Sequence, residues 1–410
     1  MEPRHFVVLV VAVAGAFAAC TRIEAADPPP GVSLTDGGAA GEGSGGAGSL
    51  AGGSGEGGGS DYQSLGGALG TLELGVWPTF TSEPQQSLDV QAVRASVSTL
   101  AIGAVTLPLV ERWDQLSGAT GSPRLATWNR LDAMTKPFRD RGANVALCIG
   151  LVDREQPAWP FTSDLEGADA TSAIERTIDE VYARYSSYLT HLCFGYELDR
   201  YLAVASSDEA ARLLAFLRHA VEYASRHPLR ATKTLIGSAV TLQSLREPAD
   251  SLSDLLLGDE VVAVYDPLDA DVSLKPPASV VDELSATLDN LQATGVRRQL
   301  TLFEVGYPSS ADVGSSQAEQ KAFYESLFGL LDGRRDDFGF IGVYGLGDRA
   351  AADCETEALS FGASSEPERL SARANARCSM GLQAERPETE KPAWQDVAAA
   401  LSRYAPASNN

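Results

Sequence analysis

The chain contains 410 residues, which is enough for one large hydrophobic core or two smaller ones. It is strongly acidic, with 55 Asp and Glu against 32 Lys and Arg and a formal net charge of -23. Because a nucleic-acid-binding surface needs Lys and Arg to neutralise phosphates, this balance argues against nucleic acid as a partner.

The N-terminus predicts export, with residues 1–19 as a signal peptide. Arg4 and His5 precede an apolar run of about fourteen residues, which is too short to span a bilayer as a helix. The small residues before Cys20 resemble the lipobox of bacterial lipoproteins, which implies cleavage before Cys20 and a diacylglycerol on its sulfur. The expected location is the bacterial cell envelope, at the outer membrane or cell surface, with lipid as the sole membrane contact. The alternative is an ordinary signal peptide with an incidental cysteine.

Residues 20–70 are rich in Gly and Ser and poor in large apolar side chains, so we expect a flexible tether. A G-x-G-x-x-G pattern at 43–48 lies in this low-complexity stretch with no strand before it, and we do not interpret it as a nucleotide site. The four His are scattered without the spacing of metal ligands. The sequence therefore predicts neither a metal nor another cofactor.

Apolar strand-like segments alternate with amphipathic helical segments through residues 71–405, which we interpret as one domain. This alternation predicts a (β/α)8 TIM barrel. An open doubly wound sheet is the alternative, but it usually shows a Gly-rich phosphate turn after its first strand, and none occurs here. The predicted strands are 72–78, 101–108, 143–150, 190–197, 233–239, 260–267, 299–304 and 338–345. The predicted helices are 89–100, 125–138, 172–188, 208–226, 251–257, 277–294, 316–331 and 392–404.

Export places the cysteines in an oxidising compartment. Cys354 and Cys378 bracket a polar, loop-like insert, and we expect a disulfide that closes it. Cys148 and Cys193 lie in the third and fourth predicted strands. They are either bonded, if those strands are neighbours, or buried as small hydrophobic residues.

Chemistry in a barrel of this kind lies at the C-terminal ends of the strands. Carboxylates and aromatic residues gather there, and a pair of carboxylates is what glycosidic cleavage needs. Aromatic faces stack on sugar rings, so we expect a polysaccharide or oligosaccharide substrate. We interpret Asp199 and Arg200 as a rim ion pair. The candidate catalytic residues are Glu197 and Glu304, and the candidate substrate-binding residues are Trp77, Tyr196, Tyr265, Tyr307 and Tyr344.

Glutamates at the ends of strands four and seven resemble the pattern of clan A glycoside hydrolases. The segment 303–309 (Phe-Glu-Val-Gly-Tyr-Pro-Ser) resembles the nucleophile segment of the β-1,3-glucanase and endo-galactanase members. The segment 194–197 (Phe-Gly-Tyr-Glu) resembles their acid/base segment. Further resemblance lies in 263–267 and in Lys-Pro-Ala-Trp at 391–394. The resemblance implies a retaining mechanism with Glu304 as nucleophile, Glu197 as acid/base, and carboxyl groups about 5–5.5 Å apart.

The chain departs from this family in two places. Tyr196 stands where the family has an Asn that binds the sugar 2-hydroxyl, and Tyr344 stands where Trp is common. Two alternatives therefore stay open: a non-catalytic carbohydrate-binding lipoprotein on a degenerate barrel, and a structural envelope protein without a sugar ligand. Carboxylates that lie far apart, or are plugged by side chains, would favour the structural protein.

Overall fold

The computed structural model describes residues 72–77, 106–118, 121–153, 155–160, 165–246, 252–349, 351–359, 364–384 and 390–404. The predicted signal peptide, the predicted lipidation site at Cys20, the predicted tether and the predicted helix 89–100 lie outside the described residues. Within the described residues, no helix is both long enough and apolar enough to cross a membrane.

Eight parallel strands form a closed barrel, because the first strand pairs with the last. The predicted (β/α)8 fold is therefore confirmed, and the open doubly wound sheet is wrong. Every strand is largely buried, in keeping with its run of Val, Ile, Leu and Ala. In chain order the strands are β1 (Glu73–Val76), β2 (Thr106–Arg112), β3 (Asn144–Gly150), β4 (Leu189–Phe194), β5 (Leu235–Thr241), β6 (Val261–Val264), β7 (Leu300–Val305) and β8 (Phe338–Val343).

Helices surround the barrel and bury apolar faces against it. The longest begins with a capping box in which Ser206 and Glu209 satisfy each other's backbone amides. The main helices are α1 (Leu125–Arg139), α2 (Ala168–Tyr185), α3 (Ser207–Arg226), α4 (Ser279–Ala293), α5 (Gln317–Gly333), α6 (Ala351–Leu359), α7 (Pro367–Cys378) and α8 (Pro392–Tyr404). Shorter helical turns are Trp113–Leu116, Leu198–Val204, Leu242–Arg246, Leu252–Leu255, Ala311–Val313 and Arg335–Asp337, and a small hairpin pairs Val152–Asp153 with Gln156–Pro157.

Both cysteine pairs in the described residues form disulfides. Cys148 on β3 and Cys193 on β4 are register partners on neighbouring strands, with Cα atoms 4.4 Å apart, which decides the alternative that the sequence left open. Cys354 and Cys378 are bonded with Cα atoms 6.0 Å apart, which confirms the predicted pairing. The segment between them is not the loop that we predicted, because it contains α6 and α7. Pro367 occupies the first turn of α7, where its missing amide hydrogen costs nothing.

Candidate functional site

Glu304 lies at the C-terminal end of β7 and is only 3% exposed. The Tyr196 hydroxyl donates a hydrogen bond to Glu304 Oε2. Arg377 binds both carboxylate oxygens, with Nε 2.9 Å from Oε1 and Nη2 in contact with Oε2. The same Nη2 also donates to the Tyr196 hydroxyl at 3.2 Å. Glu304, Tyr196 and Arg377 therefore form one hydrogen-bonded group at the mouth of the barrel.

Glu197 follows β4 after a tight turn. Gly195 and Glu197 both adopt left-handed backbone conformations, with φ of 71° and 59°. A side chain at Gly195 would collide with Leu198, so this glycine is required for the turn. The left-handed conformation costs a glutamate about 1–2 kcal/mol, and strain of this kind is concentrated at functional sites. The turn brings the Glu197 carboxylate to the barrel mouth, where it is 1% exposed.

Arg373 connects the two glutamates. Its Nη1 donates to Glu197 Oε1, and its Nη2 lies 3.9 Å from Glu304 Oε1. Arg200 Nε lies 3.7 Å from the other Glu197 oxygen. The two candidate catalytic carboxylates therefore face each other across a single guanidinium group.

These neighbours set the charge state of the site. Burial by itself raises the pKa of Glu197, but the cationic side chains of Arg373, Arg200 and Arg377 outweigh it and lower that pKa below its ordinary value. Burial, with the negative charge of Glu304 beside it, raises the pKa of Tyr196 well above its ordinary value. Glu197 is therefore ionised at neutral pH, and Tyr196 keeps its proton and donates it in a hydrogen bond.

A third carboxylate, Asp266, lies just after β6. Arg200 Nη2 is 2.7 Å and Arg369 Nη2 is 3.3 Å from its Oδ2. Burial raises the pKa of Asp266, but Arg373, Arg200 and Arg369 together lower it. Asp199, which we predicted to pair with Arg200, instead accepts a hydrogen bond from the Thr241 backbone amide at 2.7 Å.

The arginines of α7 were not among the site residues predicted from the sequence. Arg369, Arg373 and Arg377 are spaced four residues apart, so they lie on one face of the helix. Each contacts a carboxylate at or just after the end of a different strand: Arg369 contacts Asp266, Arg373 contacts Glu197, and Arg377 contacts Glu304. The four-residue spacing of arginine is the signal that could have revealed this face.

Three of the five predicted substrate-binding residues lie around Glu304. Tyr196 hydrogen-bonds to it, as described above. Trp77 donates from Nε1 to the Phe303 carbonyl at 2.9 Å, and its ring lies 5.8 Å from that of Tyr344. The Arg377 guanidinium stacks over the Tyr344 ring, 4.9 Å from its centroid. The mouth of the barrel therefore has aromatic walls as well as charges.

The structure does not bring Tyr265 and Tyr307 to this mouth, which corrects the sequence analysis. Both pack against Phe323 on α5, with ring centroids 5.5 Å and 5.2 Å away. The Tyr307 hydroxyl donates to the Lys275 carbonyl at 2.7 Å. These two tyrosines therefore belong to the packing between barrel and helices. The part of the chain that the structure describes has no group of three His, Cys, Asp or Glu arranged to hold a metal ion.

No protein-family model matches this chain, and no curated protein matches its sequence. Solved structures do match its fold. A GH5_18 protein from Bifidobacterium longum subsp. longum has a TM-score of 0.56 and 14% identity, covering 82% of this chain and 80% of that chain. A GH5_18 variant from Streptomyces cattleya in complex with Manb1-4GlcNAc has a TM-score of 0.53 and 16% identity, covering 83% and 82%. An exo-beta-1,4-mannosidase from Opitutaceae bacterium strain TAV5 has a TM-score of 0.54 and 15% identity, covering 82% of this chain but 60% of that chain. At these identities the likeness is one of fold, the (β/α)8 barrel.

Proposed function

We propose that this protein is a glycoside hydrolase that cleaves a β-linked oligosaccharide or polysaccharide. The observation that carries the proposal is that Glu197 and Glu304 converge on one guanidinium at the C-terminal end of the barrel. Two facing carboxylates at that end are the arrangement that glycosidic cleavage requires. Solved structures of the same fold include an exo-beta-1,4-mannosidase and a protein bound to Manb1-4GlcNAc, which supports a β-linked sugar as the substrate class.

In the proposed mechanism, Glu197 protonates the leaving glycosidic oxygen while Glu304 attacks the anomeric carbon. The resulting glycosyl-enzyme is hydrolysed by a water molecule whose proton Glu197 removes, so the anomeric configuration is retained. Tyr196 holds Glu304 in place through its hydroxyl, instead of binding the sugar 2-hydroxyl as the Asn of the family does. Trp77 and Tyr344 offer ring faces next to Glu304 for a sugar to stack upon.

The energetics of burial also support a functional role. Replacing a buried ion pair by well-packed apolar residues is often neutral or stabilising, so stability alone gives little reason for charged groups in a barrel mouth. Here Glu197, Glu304 and Arg373 are each at most 3% exposed, and Glu197 has a strained backbone as well. Chemistry at these carboxylates would account for both features.

A non-catalytic barrel, whether sugar-binding or purely structural, is the second candidate, and one observation favours it. Arg373 and Arg377 occupy the space in which a sugar would meet the two glutamates. The same guanidinium groups lower the pKa of Glu197, so in this arrangement Glu197 carries no proton to donate. The enzyme proposal therefore requires that α7 can leave the mouth.

Turnover of aryl β-glucosides, β-galactosides and β-mannosides, and of soluble β-glucans, galactans and mannans, tests the proposal. We expect Glu304→Gln to reduce kcat/KM by about a thousandfold or more, because the covalent step loses its nucleophile. Glu197→Gln should reduce turnover less for an aryl glycoside whose leaving group needs no protonation. Glu222→Gln, at an exposed position on α3, is the matched control and should behave as wild type.

Unchanged turnover in Glu304→Gln would remove that residue from the mechanism. Glycan binding without hydrolysis, both by the wild type and by the variants with an opened mouth described below, would favour the second candidate.

We also propose that the protein is exported and anchored to the cell envelope by lipid at Cys20, which rests on the sequence alone. Expressed in a bacterium, the wild type should sediment with membranes, and Cys20→Ser should move to the soluble fraction. A wild-type protein that is soluble after export would contradict lipid anchoring.

A further inference from the structure

Helices α6 and α7 form a small unit with its own packing. Leu370 and Ala374 of α7 make a buried apolar cluster with Ala358 of α6, and this cluster is separate from the two clusters of the barrel. The disulfide Cys354–Cys378 ties the start of α6 to the end of α7. The two helices are therefore packed and cross-linked to each other independently of the barrel core.

The contacts between this pair of helices and the barrel are mainly polar. On the inner face of α7, three arginines bind the carboxylates of the mouth, as described above. Just before α7, Ser364 and Ser365 donate hydrogen bonds from their hydroxyls to Glu155, at 2.8 and 2.7 Å. Glu366 lies 3.5 Å from Arg200. Within the described residues, Leu370 and Ala374 of α7 belong to neither apolar cluster of the barrel, so departure of the unit would expose little of the barrel's core.

The chain enters and leaves this unit at adjacent points. The Arg349 backbone amide donates to the Cys378 carbonyl at 3.0 Å. The segment after α7 is fixed to the barrel, because Gln320 Nε2 donates to the Met380 carbonyl at 3.1 Å and Lys391 Nζ donates to the Gly381 carbonyl at 2.7 Å. The unit is therefore connected to the rest of the chain by two segments that lie side by side, and hydrogen bonds fix the second of them to the barrel.

Lifting α7 as a whole costs less free energy than removing one partner from its ion pairs. Removing one partner of a buried pair leaves a charge without solvent or counter-ion and is strongly destabilising. Lifting the whole helix instead returns both partners to water, so hydration replaces the lost attraction. The closed network is also incompletely satisfied, because Glu197 Oε2 and Arg373 Nη2 have no hydrogen-bond partner among the described residues.

We propose that α6 and α7 are an autoinhibitory lid, in which Arg373 and Arg377 occupy the positions of the substrate and must leave before a sugar can bind. The proposal rests on the proposed function, because it assigns regulation to the same Glu197–Glu304 site. In the closed state the arginine side chains block the site sterically, and their positive charges also neutralise both catalytic carboxylates. A substrate binds the open state, so its apparent affinity is reduced by the fraction of molecules that are open.

The first test is the double variant Arg373→Gln/Arg377→Gln in the full chain. We expect kcat/KM for an aryl β-glycoside to rise by about tenfold or more over wild type, because the open fraction increases. Hydrogen exchange in the α7 peptides should accelerate, while exchange in α2 stays unchanged. The matched control is Arg226→Gln, which removes an exposed arginine with an exposed glutamate partner on α3 and should leave both measurements at the wild-type level.

A second variant does not depend on the chemistry of the arginines. Residues 351–378 are replaced by a short Gly-Ser linker, which the adjacent ends at Arg349 and Cys378 allow. Circular dichroism and cooperative thermal unfolding establish that the barrel is folded. This variant should show the same rise in kcat/KM as the double arginine variant. Adding Glu304→Gln to it should abolish turnover.

The outcomes separate the two proposals. Equal turnover by wild type, the double variant and the excised variant overturns the lid and leaves the role of Glu304 intact. Lower turnover in both opened variants also overturns the lid, because the arginines would then serve the reaction. Folded variants without any turnover on the whole substrate panel overturn the proposed function, and the autoinhibitory role with it.

Discussion

Helices α2 and α7 both lie against the barrel, but different forces hold them there. The inner face of α2 is apolar, and Ile174, Ile178 and Val181 are completely buried on it. The inner face of α7 carries arginines paired with carboxylates. Burying an aliphatic side chain contributes about 1.5–3 kcal/mol, which is lost when its helix departs, whereas separated ions regain hydration. We therefore expect that α2 cannot leave without unfolding of the barrel, whereas α7 can.

The largest effect expected from this comparison is that of Ile178→Ala on α2. Truncating a fully buried Ile leaves a cavity between α2 and the barrel, and we expect a loss of about 2–5 kcal/mol of unfolding free energy. Denaturant unfolding followed by circular dichroism measures this loss. Hydrogen exchange should accelerate in the strands as well as in α2, because the barrel unfolds as a unit.

The counterpart on the lid is Leu370→Ala, which removes a buried side chain of similar size from α7. Its effect on the free energy of unfolding of the barrel should be smaller than that of Ile178→Ala, because Leu370 packs within the helix pair and not against the barrel core. Exchange should accelerate in α6 and α7, which Leu370 joins through its packing against Ala358, and stay unchanged in the strands. Accelerated exchange in α2 or the strands of this variant would show that both helices belong to one cooperative unit and would contradict the comparison.

The same contrast explains which parts of the molecule the sequence predicted. The strands and the ring helices are apolar on their buried faces, so their periodicity revealed them, and with them the positions of Glu197 and Glu304 at the ends of β4 and β7. Helix α7 has few apolar residues, and its buried side chains are Leu370, Ala374 and Ala376 together with the charged Arg373. A polar helix of this kind cannot be told from a loop by hydropathy.

The direction of the side chains at the strand ends was the second feature that could not be predicted from the sequence. Tyr265 immediately precedes Asp266, and neighbouring residues of an extended chain point to opposite sides, so a mouth-facing Asp266 puts Tyr265 among the helices. The tyrosine and glutamate at 196–197 escape this alternation because the left-handed turn at Gly195 and Glu197 re-aims them. Strand ends could be located from the sequence, but the turn that follows each strand decides which side chain reaches the mouth.

The smallest expected effect is that of pH on the lid. The folded-state pKa values of Glu197 and Asp266 lie below their ordinary values of 4.5 and 3.8, because the cations around each carboxylate outweigh the effect of burial. For a lowered pKa, the stabilisation is fully present above the ordinary value and is lost as pH falls through the folded value. Closure should therefore be constant at neutral pH and weaken below about pH 4. The cations facing these two groups are Arg200, Arg369, Arg373 and Arg377.

Hydrogen exchange at a series of pH values, corrected for the intrinsic exchange rate, measures this dependence. Exchange in α7 should rise in acid while α2 stays protected, since α2 is held by apolar contacts that do not titrate. Arg373→Gln/Arg377→Gln is the control: its α7 should already exchange rapidly at neutral pH and change little on acidification. If α7 and α2 of the wild type lose protection together at one pH, the ion pairs do not form a separate latch, and the two helices are held by the same cooperative fold.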